Sequence, residues 1–153
     1  MMKASCSIEM TDQQSDIVQA SLPLENREVL LAEDCIDQGR LYLHYLQKAG
    51  ASVTLECNGL SAVGAVKKSL TRYDAIVMDF QMPEIDGLQA TKQLRELGYR
   101  GAIIAVTAYG TRALEQSWLL AGCDEFIEKP LGKTQLIIAV TQCIAKVQET
   151  SQA

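Results

Sequence analysis

"YDAIVMDFQMPEIDG" runs from Tyr73 to Gly87. Its apolar core, Ala75 to Met78, is short, β-rich and ends abruptly on Asp79. A run of that length bounded by turn residues reads as a buried strand. Asp79, Glu84 and Asp86 then fall within eight residues, with Pro83 between them and Gly87 closing the loop. Next comes "LQATKQLRELG", with Ala90, Leu94 and Leu97 on one helical face and Gly98 as the stop. The stretch is therefore one strand–loop–helix unit with a carboxylate at the strand tip.

The same unit repeats on both sides. "EVLLAED" (Glu28–Asp34) precedes the helical "QGRLYLHYLQKAG", and "ASVTLEC" precedes "LSAVGAVKKSL". Downstream, "GAIIAVT" precedes "TRALEQSWLLAG", and "CDEFIEKP" precedes "KTQLIIAVTQCIAKV". In the last of these, Leu136, Val140, Ile144 and Val147 form a helical stripe. Five strand–helix units in strict alternation predict an α/β fold, a doubly wound parallel sheet of five strands with five flanking helices. Right-handed crossovers then align every strand C-terminus along one edge, where such sheets bind ligands.

The polar residues collect at that edge. The first strand ends in Glu33 and Asp34, the third in Asp79, the fourth in Thr107 and the fifth in Lys129-Pro130. Three carboxylates so close repel one another and are costly to desolvate. A divalent cation resolves the conflict, and oxygen-only ligands point to magnesium. Magnesium in turn points to a phosphoryl group, with Lys129 and Thr107 placed to hold its other oxygens. A carboxylate can attack phosphorus itself, and of the acids in the opening stretch only Asp79 occupies a strand tip. Glu84 and Asp86 read as loop and helix-start residues. Taken singly, Thr107 reads as a β-branched strand residue, Lys129-Pro130 as a turn or a cis bond, and Phe126 as core.

With these residues in place, Glu28 to about Val147 resembles the receiver domain of two-component response regulators. "LLAED", "IVMDFQMPEIDG", "IIAVTAY" and "FIEKP" carry the likeness, in the family's order and spacing. The resemblance implies strand order 2-1-3-4-5 and magnesium-dependent acceptance of a phosphoryl group on Asp79. The donor it implies is a histidine kinase or a histidine phosphotransfer protein. It puts the acidic pair on Glu33 and Asp34, a main-chain metal contact on Gln81, the switch hydroxyl on Thr107, the aromatic switch on Phe126 and the lysine on Lys129. A downstream protein is then expected on the face of the fourth helix, fifth strand and fifth helix. By position Gln81 and Tyr109 flank the phosphoryl group, so both are expected to tune its lifetime, with Tyr109 shielding it from water. "LPLENREVLLAED" further resembles the start of receivers in hybrid sensor histidine kinases, so a parent protein with kinase activity is one reading and a stand-alone regulator the other.

Three other classes compete. A phosphorylation-independent pseudo-receiver is disfavoured by the intact set of Glu33, Asp34, Asp79, Thr107 and Lys129. An aspartyl-phosphate hydrolase wants a second acid two residues after the nucleophile, where Gln81 stands. A flavin domain wants a Ser/Thr/Gly-rich loop after the first strand, and "EDCIDQG" is a poor one.

The 153 residues are 48% apolar, enough for one domain with a core. The net charge of −5 argues against direct nucleic-acid binding. No apolar run nears the roughly 20 residues of a membrane span, so no direct membrane contact is expected. Five scattered cysteines without a C-x-x-C pair, and no secretory signal pattern, point to a cytoplasmic setting, alone or as the cytosolic part of a membrane-bound kinase. The expected boundaries are a flexible tail or linker over 1–26, with a short helix considered in "DQQSDIVQA", the receiver over 27–148, and a C-terminal tail over 149–153.

Overall fold

A computed structural model describes residues 20–152. Cys6 and all but the last residue of "DQQSDIVQA" lie outside them. The elements alternate without exception: β1 (Glu28–Ala32), α1 (Ile36–Lys48), β2 (Ser52–Glu56), α2 (Gly59–Lys68), β3 (Ala75–Asp79), α3 (Gly87–Glu96), β4 (Ala102–Thr107), α4 (Arg112–Ala121), β5 (Glu125–Glu128) and α5 (Lys133–Ser151). All strand pairs are parallel, in the order β2-β1-β3-β4-β5. This is the expected fold.

Successive strand residues point to opposite faces, and both faces are covered. On one side Val29, Leu31, Val77 and Ile104 pack with Tyr42 and Leu46 of α1 and Leu136, Val140 and Ile144 of α5. On the other, Leu30, Ile76, Met78 and Ile103 pack with Val66, Ala90, Leu94 and Trp118 from α2, α3 and α4. β3 and β4 are buried along their whole length, which is why their sequences read as unbroken apolar runs. At the end of α3, Leu97 is partly exposed rather than buried, because the helix stops there and the chain turns at Gly98.

Described structure extends on both sides of residues 27–148. Residues 23–26 form a turn, and Leu24 is buried in the core beside α1. Its N–H donates to the Ala49 carbonyl at 2.8 Å. Gly50 makes this possible: a Cβ there would come within 2.9 Å of the Leu22 Cβ and 3.0 Å of the Glu25 backbone. A single buried leucine in "SLPLEN" leaves no periodic trace in the sequence. At the other end α5 continues through Glu149 and Thr150 to Ser151, since "KVQETS" offers no helix stop. Leu24→Ala is expected to cost about 2 kcal/mol, the low end for buried Leu because a terminal turn can partly collapse. Urea unfolding at neutral pH measures it; an unchanged midpoint would show that the turn is not part of the cooperative unit.

Candidate functional site at the C-terminal sheet edge

Each buried strand delivers its last polar side chain to one edge of the sheet. Glu33 follows β1, its N–H still bonded to the Glu56 carbonyl of the neighbouring β2. Asp79 is the last residue of β3, and Lys129 follows β5, with its N–H donating to the Thr107 carbonyl at 2.7 Å. The Lys129–Pro130 bond is cis. Glu33 and Asp79 are buried, whereas Asp34 is exposed. Carboxylate oxygens of Glu33, Asp34 and Asp79 lie within 4.8 Å of one another. The Lys129 ammonium donates to Glu33 Oε2 at 2.9 Å and to Gln38 Oε1 at 2.7 Å, and pairs with Asp79 Oδ1 at 2.9 Å. Above them opens a cleft of about 250 Å³ whose walls include Asp34, Gln38, Gln81 and Ala108.

One ammonium does not neutralise three carboxylates. Burial pushes the Asp79 carboxyl up to about 6; Glu33 and Asp34 push the same way, and the Lys129 contact opposes them. For Lys129, burial disfavours the charged form, but the bonds to Glu33 and Asp79 outweigh it and its pKa is raised. The site thus holds excess negative charge in a half-dry cleft. Oxygen-only donors in that number fit a hard divalent cation.

Not every residue singled out in the sequence joins the cleft. Thr107 ends β4 and is buried, with its Oγ1 accepting from the Tyr109 N–H at 3.1 Å; the adjacent Ala108, not Thr107, lines the cleft. Phe126 is half-buried and packs against the core of the α2–α4 side. Tyr109 is 59% exposed and is not among the residues lining the cleft. Gln81 does reach the cleft wall. Glu84 sits in the loop at φ +72°, and Asp86 caps α3 through a reciprocal pair with Gln89. That pairing satisfies helix N–H groups and leaves Asp86 a structural job. Gln38 escaped the sequence reading. Its signal was weak: one polar residue on the first turn of α1, four after Asp34.

Residues 29–141 match the family model of the response regulator receiver domain. The chain belongs to that family. Among its receiver relatives, two-component response regulator ORR41 of Oryza sativa subsp. japonica is 39% identical over 111 residues, covering 71% of this chain and 87% of that protein. Two-component system protein A of Emericella nidulans is 36% identical over 72% of this chain, which spans only 16% of that protein's length. A solved receiver domain, that of sensor histidine kinase PA1611 from Pseudomonas aeruginosa, matches with a TM-score of 0.71 and 32% identity, covering 78% of this chain and 98% of that one. It carries a magnesium ion coordinated in its active-site cleft. The chain is a receiver domain of two-component phosphorelay signalling. Among the described residues, no helix is long and apolar enough to cross a membrane.

Proposed function

We propose that Asp79 accepts a phosphoryl group from a phosphohistidine protein, with magnesium held by Glu33, Asp34, Asp79 and the Gln81 main-chain carbonyl. The observation that carries this reading is the convergence of three carboxylates and the Lys129 ammonium on one small cleft. A carboxylate oxygen of Asp79 forms the new P–O bond while the P–N bond breaks and the imidazole leaves. Lys129, already on Asp79 Oδ1, is placed to follow the charge onto a phosphoryl oxygen. Bound magnesium supplies electrostatic stabilisation of the phosphoryl oxygens. Gln81 offers no acid two residues after Asp79, which counts against a hydrolase.

On the output side, Thr107 leaves Tyr109 N–H to bond the phosphoryl group, and Phe126 moves with it. The face they reach carries exposed Leu119, Leu120 and Ile138, and a cleft of about 660 Å³ between β5 and α5. A downstream protein binding there is the partner this reading calls for. The likeness to the PA1611 receiver supports a place within a hybrid sensor histidine kinase.

The direct test is labelling by acetyl phosphate with magnesium. Wild type is expected to take up the phosphoryl group, and Asp79→Asn to fall by more than about a hundredfold, as losses of an attacking group do. Equal labelling of the two would remove Asp79 from the role.

A further inference from the structure

We propose that Gln38 is a positioning residue for phosphoryl acceptance, acting by fixing where the Lys129 ammonium stands. This rests on the reading of Asp79 as acceptor. A lysine ammonium has three N–H donors and no acceptor. Here three oxygens surround it: Glu33 Oε2 and Gln38 Oε1 accept hydrogen bonds, and Asp79 Oδ1 is an ion-pair partner. Gln38 makes the shortest of these contacts, 2.7 Å against 2.9 Å, and it alone is neutral. The other two acceptors leave the long lysine stem free to swing about the line between them. A third acceptor, on the rigid first turns of α1, closes the tripod.

Chemistry explains why that third leg should be an amide. When acetyl phosphate is the donor, an Asp79 oxygen forms the P–O bond, the bond from phosphorus to the acetyl oxygen breaks, and acetate departs with the negative charge that Asp79 gives up. Lys129 must then loosen its hold on Asp79 and turn to the phosphoryl oxygens. An amide oxygen anchors the ammonium through that exchange without cancelling its charge. A carboxylate at position 38 would anchor it too, but would offset the charge and repel the incoming phosphoryl group. Because lysine only donates, the amide must present its oxygen to it, which leaves the Gln38 NH₂ as a further donor at the cleft wall.

The two roles of position 38, anchor and charge, separate in two substitutions made in the full chain. Gln38→Leu removes the anchor and adds no charge. It is expected to slow labelling by acetyl phosphate about tenfold, in line with the large rate losses that follow roughly 1 Å of misplacement. Its magnesium affinity by calorimetry and its urea midpoint are expected to stay near wild type. Gln38→Glu keeps an anchor and adds charge, so labelling is expected to slow while magnesium binds more tightly. A merely structural glutamine would not split rate from affinity in this way. Wild-type labelling rates for both variants, with Asp79→Asn still unlabelled, would overturn the role of Gln38 and leave the acceptor intact. A parallel loss of rate, affinity and stability in Gln38→Leu would also overturn it, as general damage to the site. Labelling of Asp79→Asn at the wild-type rate would instead sink the reading on which the proposal stands.

Discussion

Gly87→Ala is expected to destabilise the protein by about 3 kcal/mol or more, the upper range for forcing a group into a packed interior. Gly87 begins α3, and its N–H donates to the Phe80 carbonyl at 2.8 Å, folding the loop back against the end of β3. A Cβ there would overlap the main-chain carbonyl oxygen of Asp79 and lie 2.7 Å from Trp118 Cη2. Neither obstacle is a flexible tip. The backbone of a central strand and a fully buried indole must both shift, or α3 must lift away. Either motion displaces Asp79, so labelling by acetyl phosphate should fall together with stability. Gly64→Ala supplies the control, since nothing lies within 4 Å of a Cβ on that mid-helix residue of α2. It should stabilise by up to about 1 kcal/mol, the ordinary gain of Ala over Gly in a helix. Urea midpoints that move alike for the two variants would refute the close approach as the cause.

Asp79→Asn is expected to make the protein more stable by about 2 to 3 kcal/mol at pH 7.5 with magnesium removed by a chelator. The carboxyl stands at about 6 in the folded chain, against an ordinary 3.8. Burial is the main cause, with Glu33 and Asp34 adding to it and Lys129 opposing. A rise from 3.8 to about 6 amounts to roughly 3 kcal/mol. The sign follows from proton binding. Between about pH 4 and 6 the folded state holds more protons than the unfolded one, so stability falls as pH rises through that window, and the full penalty stands above it. Asparagine cannot ionise and escapes the penalty. Its advantage should therefore be largest above pH 6 and fade toward pH 4. Paired urea titrations across this range measure it, and a pH-independent difference would contradict burial of the charge as the cause. Excess magnesium should narrow the gap, because wild type gains more from binding the cation than the variant does.

Strand and helix count were legible because β3 and β4 are buried on both faces and the helices carry clean stripes or glycine stops, whereas the order of the strands came from the resemblance to receiver domains. The acidic edge was legible because strand tips are fixed once the alternation is known. What stayed hidden depends on contacts without periodicity. Leu24 is one apolar residue whose partner, α1, lies more than ten residues away along the chain. Gln38 matters through the reach of Lys129, 91 positions later. Tyr109 donates its backbone N–H to the Thr107 hydroxyl and its side chain is exposed, a placement that its position two after Thr107 does not specify.

Trp118 is the only tryptophan in the chain. It is fully buried, 6.0 Å edge-to-face from Phe80, the residue after Asp79, and its indole N–H has no hydrogen-bond partner among the described residues. The chain therefore carries a built-in optical probe packed against the neighbour of Asp79. Its emission should be that of an indole in a dry, apolar setting, and any movement of Phe80 or α4 that admits a hydrogen-bond acceptor should shift that emission to the red. Magnesium binding and phosphorylation can then be followed in real time by intrinsic fluorescence, with no label attached.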